Sequence, residues 1–334
     1  MAFLNIFFKT LGFLIGITTF LILINIFLFL APNDNGRFKF IEGDRESNNV
    51  IATLELSGPI INNLDKSLIG NIVEFIDPDL VREYLIGLEK LNPKILIIKI
   101  NSPGGTVAAS ATLEKIISNF KKQTEAEIYF HSNEILASGG YWVATSGDKI
   151  FANYGSIIGS IGVSGPSWYY YDEPTSISAG IFGQKIETRK GIKIFDQNAG
   201  NSKDLYNPFR QPTKSELNHL QNIVKKIYND FINKVSKSRK IEINVLKNEI
   251  GALIYTGNQA KEKFLIDGVL DYHELLKKII KLKKFEDYKI LDMKVNDNFI
   301  NKYLSNYFKI NNSFVCNKLN INFVSVLPLF INNC

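Results

Sequence analysis

The sequence predicts an α/β fold with a largely parallel core, preceded by a single apolar helix at the N-terminus. The order strand, glycine turn, helix occurs twice, at residues 93–120 and 127–144, and is typical of parallel sheets covered by helices. The first thirty residues carry one charged side chain, that of Lys9. The whole 334-residue chain has a globular composition, since 45% of its residues are hydrophobic and 22% are charged.

The N-terminal apolar segment is long enough to cross a membrane. Residues 10–31 contain no charge, and a helix of that length spans the ~30 Å hydrocarbon core of a bilayer. A cleavable signal peptide would have a shorter apolar stretch and a small-x-small cleavage site, and neither is present. We therefore predict an uncleaved transmembrane anchor at 10–31, after a short stub at 1–9. One basic residue precedes the anchor and three follow it before residue 46, so the flanking charges leave its orientation open.

The predicted folded domain covers residues 49–280, and a polar linker at 32–48 separates it from the anchor. Its strands are expected at 50–58, 93–100 and 127–131. A first helix is expected at 79–91, a second follows the glycine turn at 101–105, and a third follows Ser138. Residues 164–188 form a less regular insertion. A capping box of Thr213 and Glu216 then begins a long amphipathic helix. No internal repeat is present in the sequence, so the chain carries one copy of its catalytic unit.

Residues 281–334 form a basic, asparagine-rich C-terminal extension to which the sequence assigns no role. The extension contains eight lysines and four acidic residues, and so supplies +4 of the net charge of +6. The rest of the chain has no basic stripe interleaved with aromatic residues, which argues against nucleic-acid binding. The two cysteines, Cys316 and Cys334, lie in the extension without metal-ligand spacing. The simplest interpretation is two incidental thiols, and the alternative is a disulfide between them, which can form outside the cytoplasm.

Two glycine turns could carry chemistry. In "NSPGG" (101–105) the glycines let the backbone turn tightly and expose amide donors, which can stabilise an oxyanion. In "SGG" (138–140) a serine stands at the start of an apolar helix. Taken alone, the first motif is more often a plain strand-to-helix turn and the second a serine N-cap. Together, at the ends of adjacent strands, they can supply a nucleophile and two hydrogen-bond donors.

A nucleophilic serine needs a base, and the histidines do not provide an obvious one. His131 ends a strand and is interpreted as structural, His219 lies in the long amphipathic helix, and His273 lies near a turn. A lysine can serve if its surroundings lower its pKa from about 10.4 to about 7–8. The residues alone do not single out which lysine that is.

Four motifs resemble the signal peptide peptidase A family of Ser-Lys membrane peptidases. They are "NSPGG", "ASGGYWVA", "ANYGSIIGSIGV" and "GIKIFDQNAGNSKDLYNPFR", in that order, within a resemblance that covers residues 49–276. The resemblance implies a Clp protease/crotonase-like spiral of β-β-α units behind the single transmembrane helix. It also implies catalysis without a metal or organic cofactor.

The resemblance assigns a role to five residues. It implies that Ser138 is the nucleophile and Lys203 the base, with Ser160 holding the lysine. The backbone amides of Gly104 and Gly139 would form the oxyanion hole. Because single-unit relatives form rings, it further implies a homo-oligomeric ring in which Lys203 reaches the Ser138 of a neighbouring subunit.

Three positions qualify this resemblance: one carboxylate must point away from the site, and two residues differ from those common in the family. Lys203 is followed by Asp204, as in the family, and that carboxylate must point away from the site if the lysine is to be neutral. Leu253 stands where relatives commonly have arginine, and Phe264 replaces a common glycine. These two substitutions bear on local packing and on assembly contacts, not on the dyad.

The sequence therefore predicts a membrane-anchored serine endopeptidase that cleaves released signal peptides or other hydrophobic peptides through an acyl-enzyme. Its expected partners are hydrophobic peptides, the lipid bilayer and further copies of the chain. Its expected location is the bacterial plasma membrane, with one membrane pass and the catalytic domain on the extracytoplasmic side. Two alternatives remain: an acyl-CoA hydratase on the same scaffold, against which the anchor and Ser138 argue, and an inactive scaffold or binding protein of the same fold.

Overall fold

The computed structural model describes residues 2–30, 38–62, 75–171, 176–180, 183–187, 197 and 199–293. Residues 294–334 of the predicted C-terminal extension, with Cys316 and Cys334, lie outside the described residues. The chain divides into two compact units between residues 37 and 38.

The first unit contains one long helix, α1 (Ala2–Leu30). Within it, Asn5–Ile24 is long and apolar enough to cross a membrane, and it is the one such helix among the described residues. The side chains described in this stretch are exposed, as expected of an apolar helix that has no protein core of its own.

The second unit alternates short strands with helices. In chain order it contains β1 (Phe38–Gly43), β2 (Val50–Ser57), α2 (Pro78–Glu89), β3 (Ile95–Asn101), α3 (Val107–Thr124), β4 (Glu127–Ser132), β5 (Ile135–Ala137), α4 (Gly139–Ala144), β6 (Lys149–Ala152), β7 (Ile157–Gly159), β8 (Ser176–Gly180), β9 (Gly183–Glu187), α5 (Lys214–Arg239), α6 (Ile243–Val245), a π-helical turn (Leu246–Ile250), β10 (Ile254–Thr256), α7 (Gly257–Glu262), β11 (Gly268–Val269), α8 (Tyr272–Lys283) and β12 (Lys289–Met293).

Within the described residues, seven strands form the main sheet, in the order β1-β12-β2-β3-β4-β6-β11. All neighbouring pairs are parallel except β1 and β12, at one edge. Strands β2 and β3 are near-continuous apolar runs because helices cover both faces of the sheet. Leu54 and Ile98 pack with α2 and α3 on one face, whereas Ile51 and Ile97 pack with α8 on the other.

A second, smaller layer lies beside the main sheet and holds the ends of the glycine turns. It contains β10, β7 and β5, with β7 parallel to β5. Two isolated β-bridges extend this layer: one pairs Ser102 with Leu136 of β5, and the other pairs Ile60 with Gly105. Each of β2, β3 and β4 is thus followed by a residue or strand of this layer and then by a helix. This repetition is the spiral of β-β-α units that the resemblance implies, and the predicted α/β class is confirmed.

Some elements fall where the sequence analysis expects irregular chain. Strand β1 lies in the predicted linker, and the end of α8 and all of β12 lie in the predicted C-terminal extension. Both strands add to the main sheet, where β12 pairs with β2. The hairpin of β8 and β9 lies in the predicted insertion at 164–188.

Candidate active site

Ser138 occupies a sharp turn between β5 and α4. Its backbone has φ 51° and ψ −122°, a conformation that L-residues with a side chain rarely adopt. The Ser138 N–H donates to the Gly159 carbonyl oxygen (2.9 Å), which anchors the turn to β7. Although Ser138 stands in the N-cap position, its side chain makes no capping hydrogen bond. The N-cap interpretation therefore does not account for this half-buried hydroxyl.

The "NSPGG" turn lies directly against Ser138. Gly104 has φ 115°, and a Cβ atom built on it would lie 2.8 Å from the Ser138 Cβ and 2.9 Å from the Gly139 nitrogen. Glycine is required here both by the backbone conformation and by the close approach of the serine turn. The two turns are thus brought together as the sequence analysis expects.

The amide donors around Ser138 differ in availability. The Gly104 N–H donates to the Ser102 Oγ (3.2 Å), so this predicted oxyanion donor is engaged within the chain. The N–H groups of Gly105 and Gly139 make no hydrogen bond to another described residue. A Cβ built on Gly139 would lie 3.2 Å from the Gly105 nitrogen, so these two amides are close neighbours. The sequence does not single out Gly105, because the letters "GG" do not reveal which of the two amides the turn leaves without a partner.

Ser160 lies beside Ser138. Strands β5 and β7 are parallel and pair Ala137 with Gly159, so the two serines are the next residues along neighbouring strands. Ser160 also has a positive φ, 49°, and its N–H donates to the Leu253 carbonyl oxygen (2.8 Å). Within the described part of the chain, neither serine hydroxyl has a hydrogen-bond partner. The structure therefore brings together four of the predicted site residues: Gly104, Ser138, Gly139 and Ser160.

Lys203 lies in a separate turn, in the segment before α5. Its side chain is exposed, and its backbone N–H donates to the Gly200 carbonyl oxygen (3.2 Å). Among the described residues, no hydrogen bond joins Lys203 to Ser138 or Ser160. In a single chain the predicted base is therefore not hydrogen-bonded to the predicted nucleophile within the described structure.

The carboxylate next to Lys203 is held by an arginine. Arg210 donates from Nε to Asp204 Oδ2 (2.6 Å) and from Nη2 to Asp204 Oδ1 (2.8 Å). Arg210 also donates to both carboxylate oxygens of Glu216 (2.8 and 2.9 Å), and its guanidinium lies 5.2 Å from the centre of the Trp168 ring. The hydrogen bonds from Arg210 lower the pKa of both the Asp204 and the Glu216 carboxyl.

Among the described residues, none of the three histidines makes a hydrogen bond to Ser138. His131 is fully buried, and its Nε2–H donates to the Leu270 carbonyl oxygen (3.0 Å), as expected of a structural residue. His219 and His273 are exposed on α5 and α8. Within the described residues, no group of three or more His, Cys, Asp or Glu side chains is placed to hold a metal ion.

Comparison with known proteins agrees with the resemblance. A model of peptidase family S49 matches residues 120–286, which is half of the chain. The "Putative signal peptide peptidase SppA" of Enterococcus faecium is 29% identical over 266 residues, which cover 78% of this chain and 72% of that protein. The "Putative protease MJ0651" of Methanocaldococcus jannaschii is 31% identical over 205 residues, which cover 61% of each protein.

Solved structures show a weaker similarity. A lysine-to-alanine mutant of the 1510-N membrane-bound stomatin-specific protease, in complex with a substrate peptide, aligns with a TM-score of 0.43 at 16% identity. That alignment covers 78% of this chain and 97% of the solved one.

Proposed function

The chain belongs to peptidase family S49, and from this premise we propose that it is a membrane-anchored endopeptidase that uses a dyad of Ser138 and Lys203. The observation that carries the proposal is the conformation of Ser138. This serine is held at φ 51° with no partner for its hydroxyl among the described residues, and it directly precedes Gly139, whose amide lies close to that of Gly105.

The proposed reaction is acyl transfer through a covalent intermediate. Ser138 Oγ attacks the peptide carbonyl, and the neutral Lys203 amine accepts the hydroxyl proton. The Gly139 amide and an amide of the "NSPGG" turn donate to the oxygen on which negative charge develops. The protonated lysine then gives its proton to the leaving amine, and water hydrolyses the acyl-enzyme. Because the neutral amine is the active form, activity should rise towards alkaline pH, with an apparent pKa well below 10.4.

Lys203 has to come from a neighbouring subunit in this proposal. Its side chain is exposed in the single chain and makes no hydrogen bond to either site serine among the described residues. A lysine in water keeps its proton at neutral pH, whereas burial lowers its pKa. A head-to-tail ring would remove Lys203 from water and bring it to the Ser138 and Ser160 of the next subunit. Homo-oligomerisation thus supplies both the proximity and the desolvation that the base needs.

The proposed substrates are released signal peptides and other hydrophobic peptides. The support is the apolar helix Asn5–Ile24, which would tether the enzyme to the bilayer into which such peptides partition, and the name of the E. faecium relative. We place the protein in the bacterial plasma membrane, with one pass and with the catalytic domain on the extracytoplasmic side. Full-length protein should therefore stay in the membrane fraction after carbonate extraction, and its release would contradict the anchor.

A serine-directed phosphonate tests the nucleophile. We expect the reagent to label the full-length protein and the modified peptide to contain Ser138. Ser138→Ala should abolish labelling and lower peptide hydrolysis by several orders of magnitude, because no acyl-enzyme can form. The matched control is Ser118→Ala on α3, whose hydroxyl donates to Glu114 (3.1 Å) and which should keep both activities. Parental hydrolysis by Ser138→Ala would refute the mechanism, and a folded parent that neither labels nor cleaves would favour the inactive scaffold.

A further inference from the structure

Arg210 connects three segments around the turn that carries Lys203. It forms a bidentate salt bridge with Asp204, the residue after Lys203, and a second bidentate salt bridge with Glu216 in the first turn of α5. Its guanidinium also lies over the ring of Trp168, from the irregular segment after β7. A lysine at this position could not replace these contacts, because only the planar guanidinium presents several donors in a fixed geometry.

The partners of Arg210 are themselves fixed. Glu216 is buried, and it accepts from the Thr213 N–H (2.8 Å) in the capping box that begins α5. The Trp168 Nε1–H donates to the Asn207 carbonyl oxygen (3.1 Å), and the Trp168 ring packs against Tyr206. The Arg210 guanidinium is therefore held between the start of a long helix and an aromatic cluster. Its position in turn fixes the orientation of the Asp204 carboxylate.

A free carboxylate beside Lys203 would work against the proposed chemistry. An opposite charge within about 4–6 Å stabilises the protonated amine and raises the pKa of a lysine by about one unit or more. The base has to be neutral to accept the Ser138 proton, so an Asp204–Lys203 pair would remove the active form at neutral pH.

We propose that Arg210 is a positioning residue for catalysis, which holds Asp204 away from Lys203 and so keeps the lysine free to lose its proton. This inference rests on the proposed Ser-Lys function and adds to it a residue outside the dyad. Arg210 touches neither the substrate nor the reacting atoms in this account. It acts through the carboxylate that it engages and through the turn that it fixes to α5.

Among the described residues, two carboxylates form ion pairs with Arg210. Arg210 faces Asp204 from its own segment and Glu216 from α5, while the segment after β7 contributes the uncharged Trp168 ring. Lys203 forms no ion pair with another described residue. Loss of Arg210 thus leaves Lys203 as the cation adjacent in sequence to Asp204.

The experiment measures the pH dependence of kcat/KM in the full-length protein. For Arg210→Gln we expect the apparent pKa of the alkaline rise to increase by about 1 pH unit or more, with about a 10-fold loss of activity at pH values below it. Arg210→Lys should behave similarly, because lysine cannot hold both carboxylates. In the double variant Asp204→Asn/Arg210→Gln the competing charge is gone, and the apparent pKa should return to the parental value.

The chain offers a matched control at the other end of α5. Arg239 donates to Asp267 (2.7 Å) and to the Phe264 carbonyl oxygen (3.0 Å), also joining a helix to a carboxylate. Arg239→Gln removes an equivalent ion pair and should leave the pH profile unchanged. A purely structural role of Arg210 would lower activity equally at all pH values, and removal of the Asp204 charge would then not restore the activity.

The outcomes separate this inference from the proposed function. If Ser138→Ala and Lys203→Ala retain activity, the dyad itself is wrong. If both are inactive but Arg210→Gln keeps the parental pH profile, the dyad stands and the role of Arg210 is overturned. If Arg210→Gln fails to fold, Asp204→Asn alone decides: its apparent pKa should equal or lie below that of the parent, and an increase would contradict the inference.

Discussion

Ser138 and Ser160 are two non-glycine residues with left-handed backbone conformations on neighbouring strand ends. Such conformations cost about 1–3 kcal/mol each and persist only where the surrounding structure enforces them. Here the hydrogen bonds from Ser138 to Gly159 and from Ser160 to Leu253 fix both turns in place. The two strained residues follow paired positions of β5 and β7, so they lie side by side as the proposed nucleophile and its helper require.

Gly104 supports this arrangement from the opposite turn, and its replacement should disturb the site. We expect Gly104→Ala to lower kcat/KM by about 100-fold or more, because the added Cβ would overlap Ser138 and the Gly139 amide and so displace an oxyanion donor. The positive φ of Gly104 adds a loss of about 1 kcal/mol in the free energy of unfolding. Steady-state kinetics and chemical denaturation measure the two effects.

Gly155→Ala is the control for this prediction. Gly155 lies in an exposed turn, and a Cβ built there meets no atom within 4 Å. This variant should keep the parental kinetics. Equal activity of Gly104→Ala and Gly155→Ala would show that the close approach of the two turns is not needed for catalysis.

The buried His131 is expected to make the free energy of unfolding depend on pH. Burial lowers the pKa of its imidazole, and in the described structure no hydrogen bond satisfies its Nδ1. Because the folded-state pKa lies below the ordinary value of about 6.5, the folded protein favours the neutral ring. The stabilisation is complete above about pH 6.5 and is lost as the pH falls from there through the folded-state pKa.

We therefore expect the free energy of unfolding to decrease with acidification below about pH 6.5, and His131→Gln to remove part of that decrease. Urea denaturation at a series of pH values measures it. The exposed His219→Gln variant should keep the parental slope. If His131→Gln also keeps it, the buried imidazole does not contribute.

At the scale of elements, α5 has two different halves. Its C-terminal half buries Phe231, Ile232 and Val235, and the Phe231 ring lies 4.9 Å from that of Trp142 in α4. Its N-terminal half leaves Leu217 and Ile223 nearly half exposed, at 47% and 45%. The sequence shows one apolar periodicity along the whole helix and does not show where burial stops.

Substitutions should separate these halves. Phe231→Ala should lower the free energy of unfolding by about 3–5 kcal/mol, because it leaves a cavity beside α4. Leu217→Ala should change the intrinsic stability of the subunit by about 0.5 kcal/mol or less. Both are measured by chemical denaturation at low protein concentration. Similar values for the two variants would mean that the helix packs evenly along its length.

The elements predicted well are those whose sequence signal is local. Strand β3 is a continuous apolar run, and the capping box of Thr213 and Glu216 begins α5 as expected. Strands β1 and β12 were not expected, because short, half-exposed strands become recognisable only when a distant partner pairs with them. The free Gly105 amide was missed for the same kind of reason, since a bridge between Ile60 and Gly105 sets its direction.

At the scale of the whole molecule, Ser138 and Lys203, the proposed nucleophile and base, lie on separate segments of one chain. The second unit builds the Ser138 turn from β5, β7 and the "NSPGG" turn, all of which lie within one chain. Lys203 lies on another segment and faces solvent. Large apolar side chains also remain exposed on this unit, including Leu253 at 64% and Phe264 at 71%, the two positions at which the resemblance implies a different residue. A subunit interface would account for the exposed base.

Complementation between two inactive variants tests whether the site is shared. Ser138→Ala and Lys203→Ala are each expected to be inactive alone, and they are co-expressed with different tags so that mixed oligomers can be isolated by two affinity steps. In randomly mixed rings, about a quarter of the sites receive a normal serine from one subunit and a normal lysine from the next. Phosphonate labelling should then appear only on the subunit that carries Lys203→Ala, because that subunit retains Ser138. The double variant Ser138→Ala/Lys203→Ala, co-expressed with either single variant, is the control and should stay inactive in both pairings. Mixed rings that form but neither label nor cleave would place both residues of the dyad in one chain.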